Sequence, residues 1–338
     1  MIKTGVIGLG KMGMSHYATL NAHPDVKIVA AADTNGWILS TLKKLVGVDT
    51  YKDYREMIRS AGLDCVLVST PTDSHAEVVA AALEGGLHVF VEKPFCLDPE
   101  DGRRLARISR EKKLVGQVGY HYRFIRTFQE AKRLLDLGLL GRVHHIGGEA
   151  YGQVVIREEG FTWRTNKAAG GGCLHDYCSH VIDLMNYLVG PPRAVLGATL
   201  NRIFSKSTED AVYATLSYGD GSSGQIAANW SDDSYRKMST RITVQGTNGK
   251  IVADRQELHL YLMEAPASGE FRQGWNVLYI TDLQKPVSFY IRGEEYTAQI
   301  DHFIGSIRSG SAEGINRFES ALQTDLVIRE ISDVGKSH

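Results

Sequence analysis

Three residues carry the chemistry needed to move a proton and steady an anionic oxygen: Lys93, Asp176 and His180. An imidazole titrates near pH 6.5 or so, which suits His180 to give or take a proton at neutrality. Asp176, His180 and Asp183 are spaced four and three apart, so on a helix their side chains are neighbours. Leu174, Tyr177, Val181, Leu184 and Leu188 supply that helix with an apolar stripe on its other side. A solvated helix face would explain most such patterns. Here the helix follows Gly170-Gly171-Gly172, a poor start for a plain surface helix, but one that lets backbone approach a ligand. Lys93 sits in Glu92-Lys93-Pro94, directly after an apolar run.

These residues need a scaffold, and the first third of the chain describes one. Apolar runs at Lys3–Ile7, Val26–Ala32, Asp64–Ser69, Leu87–Val91 and Val115–Gly119 alternate with helical patterns at Gly36–Val46, Asp53–Ser60, Asp73–Glu84 and Asp98–Lys113. Continuous apolar strands separated by helices predict a doubly wound parallel sheet buried on both faces. The first strand runs into Gly8-Leu9-Gly10-Lys11-Met12-Gly13, a helix follows, and Asp33 ends the next strand. That is the dinucleotide fingerprint in its proper context, where a lone glycine-rich turn would be weak evidence. Gly8 permits the tight turn, Gly10 the approach of a pyrophosphate, and Gly13 close packing of helix on strand. Asp33 would accept hydrogen bonds from the adenosine ribose and repel a 2′-phosphate, and Thr34-Asn35-Gly36 offers no base to pair with one. NAD is therefore expected, with Lys11 leaving NADP possible.

Ligands of open parallel sheets lie beyond the carboxyl ends of the strands. Three neighbouring ends carry polar or aromatic clusters: Ser69-Thr70-Pro71-Thr72-Asp73-Ser74-His75, Glu92-Lys93-Pro94 and Gly119-Tyr120-His121-Tyr122-Arg123-Phe124. Ser69, Thr70, Pro71, His75, Glu92 and Lys93 join Gly8, Leu9, Gly10, Lys11, Met12, Gly13, Asp33 and Thr34 as candidate cofactor contacts. This predicts a cofactor domain over residues 1–122. Residues 123–338 read as an α+β domain: a helix to about Leu137, then strand-like runs at Ala194–Leu200, Ala211–Tyr218, Gly224–Trp230 and Arg241–Val244 joined by Gly, Asp and Asn turns. A mostly antiparallel sheet is expected there, closed by final helices from about Tyr296 to Ser332.

A formal net charge of -1 gives no whole-molecule field for nucleic acid or an anionic membrane. No apolar run approaches the roughly 20 residues of a membrane span, and the N-terminus opens directly on a strand pattern, so a cytoplasmic protein is expected. Four cysteines make no disulfide framework, and Cys65 reads as a buried strand residue. Cys173, His175, Cys178 and His180 could together ligate zinc, but only if the helix unwound, so no metal is expected.

The glycine fingerprint, Thr70-Pro71 with His75, Glu92-Lys93-Pro94, Trp163-Arg164, Gly170-Gly171-Gly172 and Asp176-x-x-x-His180, in that order, resemble the glucose–fructose oxidoreductase and inositol dehydrogenase (Gfo/Idh/MocA) family along essentially the whole chain. The resemblance implies hydride transfer between NAD(P) and a secondary hydroxyl of a sugar, inositol or related polyol. It makes Lys93, Asp176 and His180 the catalytic group. Lys93 would steady the alkoxide, Asp176 would orient the donors, and His180 would serve as base in oxidation and acid in reduction. It adds Arg123, Trp163 and Arg164 as cofactor contacts and Tyr122 and Arg123 as substrate contacts; Tyr235, Gln299 and His302 are weaker candidates. It also implies a homodimer or homotetramer. Cys178 stands where the family has glycine and would add a side chain near the site. Two alternatives stay open: an enzyme that recycles NAD during glycosidic cleavage or epimerisation, and an NAD-binding regulator without catalysis.

Overall fold

A computed structural model describes residues 1–157, 163–283, 294–311 and 314–336. Strand β1 (Ile2–Ile7) passes through the glycine turn into α1 (Lys11–Ala22), followed by β2 (Val26–Ala32), α2 (Gly36–Val46), β3 (Asp49–Tyr51), α3 (Tyr54–Ser60) and β4 (Cys65–Val68). Then come α4 (His75–Glu84), β5 (His88–Val91), α5 (Pro99–Glu111) and β6 (Gly116–Val118). Side chains set the helix starts: Asn35, Asp53 and Asp98 cap α2, α3 and α5, and Pro99 enters α5 where no intrahelical donor is needed. The six strands pair in parallel in the order β3-β2-β1-β4-β5-β6. Strand order therefore reverses between β1 and β4, and a crevice opens beyond their carboxyl ends.

The remaining elements are α6 (Arg126–Asp136), β7 (Val143–Tyr151), a π-helical turn (Leu174–Cys178) leading into α7 (Ser179–Val189), β8 (Ala194–Asn201), β9 (Ala211–Ser217), β10 (Ser223–Asn229) and β11 (Ser239–Gly246). After them come β12 (Gly249–Asp254), β13 (Glu257–Leu262), β14 (Gly274–Tyr279), α8 (Ile280–Leu283), α9 (Glu294–Ser309) and α10 (Phe318–Lys336). Eight strands form one sheet in the order β14-β13-β12-β11-β7-β10-β9-β8, antiparallel except for the β7–β10 pair. Helix α7 lies close on β7: a Cβ at Gly148 would collide with Val181 and Met185. Small residues in the central strand thus set the depth at which that helix rests.

The chain forms two units, Met1–His121 with Pro286–Leu322, and Tyr122–Lys285 with Gln323–His338. This corrects the expected partition at 1–122 and 123–338. Helix α9 belongs to the first unit, where Ile300, Phe303 and Ile304 pack with Val6, Ala31, Leu67 and Phe90 in one buried cluster. Phe318 and Ala321 join the other core of that unit, whereas Val327, Ile328 and Ile331 of the same helix α10 pack in the second. The amphipathic pattern of α9 was legible; the core that it serves was not. Among the described residues, no helix is long and apolar enough to cross a membrane.

Candidate functional site

The glycine turn has the shape a dinucleotide needs. Gly8 has φ +86°, and a Cβ there would meet the Ser69 carbonyl oxygen at 2.8 Å; one at Gly13 would run into the Gly8 carbonyl. At Gly10 nothing lies within 4 Å of that position, so the backbone is open at the point where a pyrophosphate must approach. Gly10 also begins α1 without a side-chain cap, leaving the positive end of the helix to a ligand. Asp33 faces the same turn: its Oδ2 accepts from the Leu9 N–H at 2.6 Å and its Oδ1 from the Asn35 N–H at 2.7 Å. An ionised carboxylate retains lone pairs beyond these two bonds, which suits ribose hydroxyls. Lys11 and Thr34 are exposed and Met12 is half-buried. The residues present fit a bound dinucleotide.

Across the switch point, Ser69 Oγ donates to the Gly8 carbonyl at 2.8 Å, and Ser74 Oγ donates to Thr70 Oγ1 and to the Pro71 carbonyl, each at 2.8 Å. His75 is buried, and its two ring nitrogens lie 3.0 Å from the carbonyl oxygens of Pro94 and Thr70. Burial pushes its pKa down, against the upward pull of those carbonyls and of Glu92. The placement makes His75 a brace for the backbone that follows Lys93. Glu92 is 14% exposed and accepts from the Lys93 backbone N–H at 3.1 Å. Lys93 is half-buried at the end of β5.

In the second unit, Asp176 lies on the π-helical turn and His180 on the first turn of α7. Asp176 Oδ2 is 3.5 Å from Arg164 Nε, an ion pair at the edge of the unit. His180 is 5% exposed, and its ring stacks on Tyr122 at 4.6 Å. Tyr122 is itself buried, donates to Met238 Sδ at 3.5 Å, and has the Arg255 guanidinium 5.5 Å over its ring. One turn further on, Asp183 binds Arg123 through two bonds of 2.8 and 2.7 Å, with Thr324 adding a third bond at 3.3 Å. Arg123 and Asp183 are 5% and 1% exposed. The structure thus pairs Tyr122 with His180, Arg164 with Asp176, and Arg123 with Asp183. Trp163 begins a short 3-10 turn, Trp163–Thr165; its side chain lies outside the described residues.

Several sequence readings change with the geometry. Gly172 is required by the unit's own packing: it has φ +114°, and a Cβ there would strike the Glu209 carboxylate, which caps the helix by accepting from Leu174 N at 3.0 Å. Burial raises the Glu209 pKa despite that bond. Cys178 does not enter the site; it is fully buried in the second unit's core with Cys173. Among the described residues, no group of three or more His, Cys, Asp or Glu is gathered to hold a metal. His302 belongs to the first unit, where its Nδ1 is 2.9 Å from Gln117 Oε1, and the Gln299 carbonyl accepts from Gln117 Nε2 at 2.8 Å. Tyr235 stacks on Tyr151 at 5.4 Å. Sequence reasoning missed Glu209 and Arg255, which approach from distant segments, and His16, whose imidazole Nε2 meets Glu92 Oε1 at 2.5 Å.

Comparison with known proteins agrees with this architecture. Residues 2–120 match the oxidoreductase family with an NAD-binding Rossmann fold, and residues 128–252 match the GFO/IDH/MocA C-terminal domain. The chain belongs to the Gfo/Idh/MocA family of oxidoreductases. It is 26% identical over 335 residues to scyllo-inositol 2-dehydrogenase (NAD(+)) of Bacillus subtilis (strain 168), covering 97% of this chain and 92% of that protein. To levoglucosan dehydrogenase of Pseudarthrobacter phenanthrenivorans it is 27% identical over 318 residues, covering 82% of this chain and 80% of that one. The solved structure of levoglucosan dehydrogenase in complex with NADH and L-sorbose shares the fold, with a TM-score of 0.88 at 23% identity over 100% of this chain and 97% of that chain.

Proposed function

We propose that this protein is an NAD-dependent dehydrogenase that oxidises a secondary hydroxyl of a cyclitol, sugar or related polyol. The observation that carries the reading is the pairing of residue types on two separate frames. Lys93 follows β5, in the same sheet as the strand β1 that runs into a glycine turn open at Gly10, and His180 and Asp176 share the start of one buried helix. Gly8, Gly10 and Gly13 would receive the pyrophosphate, Asp33 the adenosine ribose, and Ser69, Thr70 and Glu92 the rest of the crevice. A nicotinamide held there would supply the hydride acceptor.

The chain's own residues handle the proton and the charge. His180 takes the hydroxyl proton during oxidation and returns it during reduction, its ring plane held by Tyr122. Lys93 donates to the reacting oxygen and offsets its developing negative charge. Asp176, beside Arg164, fixes the direction of the donors at the helix start. The relatives are named for scyllo-inositol and levoglucosan, which supports cyclic polyols as the first compounds to test.

Incubating the protein with NAD and a panel of inositols, aldoses and sugar acids, and following nicotinamide absorbance, tests the reading. Accumulating NADH is expected with at least one of them. Conversion of a substrate without net NADH would instead mean internal recycling of the cofactor. Neither signal across the panel would remove the dehydrogenase reading. The same reading places the protein in the cytoplasm as a homodimer or homotetramer. The oligomer is supported by the exposed row of Trp275, Val277 and Tyr279 on β14; light scattering is expected to give a dimer or tetramer mass, and a monomer mass would overturn it.

A further inference from the structure

We propose that His16 and Glu92 act as a pair of positioning residues for Lys93, passing to it the placement of the helix that begins at the glycine turn. The inference rests on the role given to Lys93 above and adds two residues that act through it. His16 and Glu92 are 76 residues apart in sequence, and His16 projects from α1, the helix whose first turn faces the pyrophosphate site. His16 is 1% exposed and Glu92 14%, and Nε2 of the imidazole is within hydrogen-bond distance of the carboxylate Oε1, at 2.5 Å. The second carboxylate oxygen of Glu92 accepts the backbone N–H of Lys93 at 3.1 Å. One side chain therefore holds α1 by one oxygen and the main chain of Lys93 by the other.

The surroundings leave this pair little freedom. A Cβ at Gly119, just past β6, would come within 3.0 Å of Glu92 Oε2, so glycine there leaves room for the carboxylate. The His16 ring lies edge-on to Phe90 at 5.4 Å and to Tyr296 of α9 at 6.4 Å, and Tyr296 stacks on His121 at 4.5 Å. Burial pushes the Glu92 carboxyl pKa up, but the bond from His16 and the charges of His16, Lys93 and His121 bring it below its ordinary value. The carboxylate is then an acceptor at both oxygens, which a neutral amide in its place cannot be. On the far side of Lys93, His75 faces the Pro94 carbonyl at 3.0 Å. The lysine's backbone is thus bracketed by an imidazole–carboxylate pair before it and an imidazole after it.

If the pair served folding alone, its loss would lower the melting temperature and leave Lys93 unchanged. The test uses the full chain as wild type, H16A, H16N, E92Q and the double variant H16A/E92Q. It measures kcat and KM with NAD and the polyol, NADH affinity by fluorescence, melting temperature, and the 13C resonance of methylated Lys93, assigned by its absence in K93R. H16A is expected to lower kcat by about tenfold to a hundredfold, the cost of a small misplacement of a reacting group. NADH affinity of H16A should stay within about twofold, and the double variant should turn over no more slowly than E92Q, because both changes cut one chain of contacts. H16N, which can still donate to Glu92, should recover part of the loss. The Lys93 resonance should move in H16A although the substituted residue lies on another element. Unchanged kcat and an unmoved resonance in H16A, whatever the melting temperature, would overturn the proposal, as would losses that multiply in the double variant. Should the wild type turn over no polyol, the dehydrogenase reading fails by itself. The Lys93 resonance in H16A then decides the coupling, a shift supporting it and no shift overturning it.

Discussion

Lys93 and His180 are held in opposite ways. In the first unit the lysine follows a strand, and its backbone is gripped on both sides by polar side chains, Glu92 before it and His75 after it. In the second unit the imidazole stands on a helix, is steadied by an aromatic face, and sits one turn before a buried Arg123–Asp183 pair. A strand end has few side-chain neighbours of its own, so polar contacts must hold it. A helix has its backbone bonds in place, and packing need only set its depth and rotation. The two sites should therefore fail differently: the first in rate with little loss of fold, the second in fold as soon as its base is disturbed.

The largest expected effect breaks both sites at their reactive groups. K93A and H180A should each lose turnover by about 10²- to 10⁴-fold, the range supplied by a placed acid or base, while NADH binding survives. Steady-state rates and fluorescence titration check this, and wild-type turnover in either variant removes that residue from the mechanism. Next comes stability. R123L leaves Asp183 buried without its partner and should cost about 3–5 kcal/mol in denaturant unfolding. R133A, which removes a half-exposed guanidinium from Glu130 and Glu270, should cost less than about 1 kcal/mol. Equal losses would mean that the Arg123–Asp183 pair is not the brace described.

The smallest effect sharpens the polar side of the contrast. Burial lowers the His75 pKa from its ordinary 6.5, so below that pH the unfolded chain takes up a proton that the folded chain resists. Stability from this residue is intact above pH 6.5 and falls as the pH drops toward the lowered folded value. Melting curves across that window should slope more steeply for wild type than for H75Q. Parallel slopes would show that His75 is not buried as a neutral imidazole.

Much of the first unit was legible in the sequence because its signals are local. The glycine fingerprint, the acid after β2 and the strand end at Glu92-Lys93-Pro94 depend on neighbours a few residues away, and the structure places them at one crevice-bearing edge of the sheet. The three-residue strand β3 was too short to show any periodicity. The π-helical turn was read as ordinary helix, since apolar spacing hardly distinguishes one added residue per turn. His16 looked like part of a helix pattern; its partner lies 76 residues on, and Arg123 and Asp183 are 60 apart. Pairs of that kind come from tertiary folding, and composition gives no register for them. The one available hint was Asp183 itself, a charge flanked directly by Ile182 and Leu184.

The return of α9 to the first unit has a consequence for how the molecule is made. A ribosome releases the parallel sheet early, yet Ile300, Phe303 and Ile304, which finish one of its apolar layers, are still unborn while the whole second sheet is emerging. Sequential maturation, N-terminal half first, is the usual order for nascent multidomain chains. Here the earlier-made part has to wait with an oily gap on its flank until α9, made after the whole second sheet, arrives to fill it.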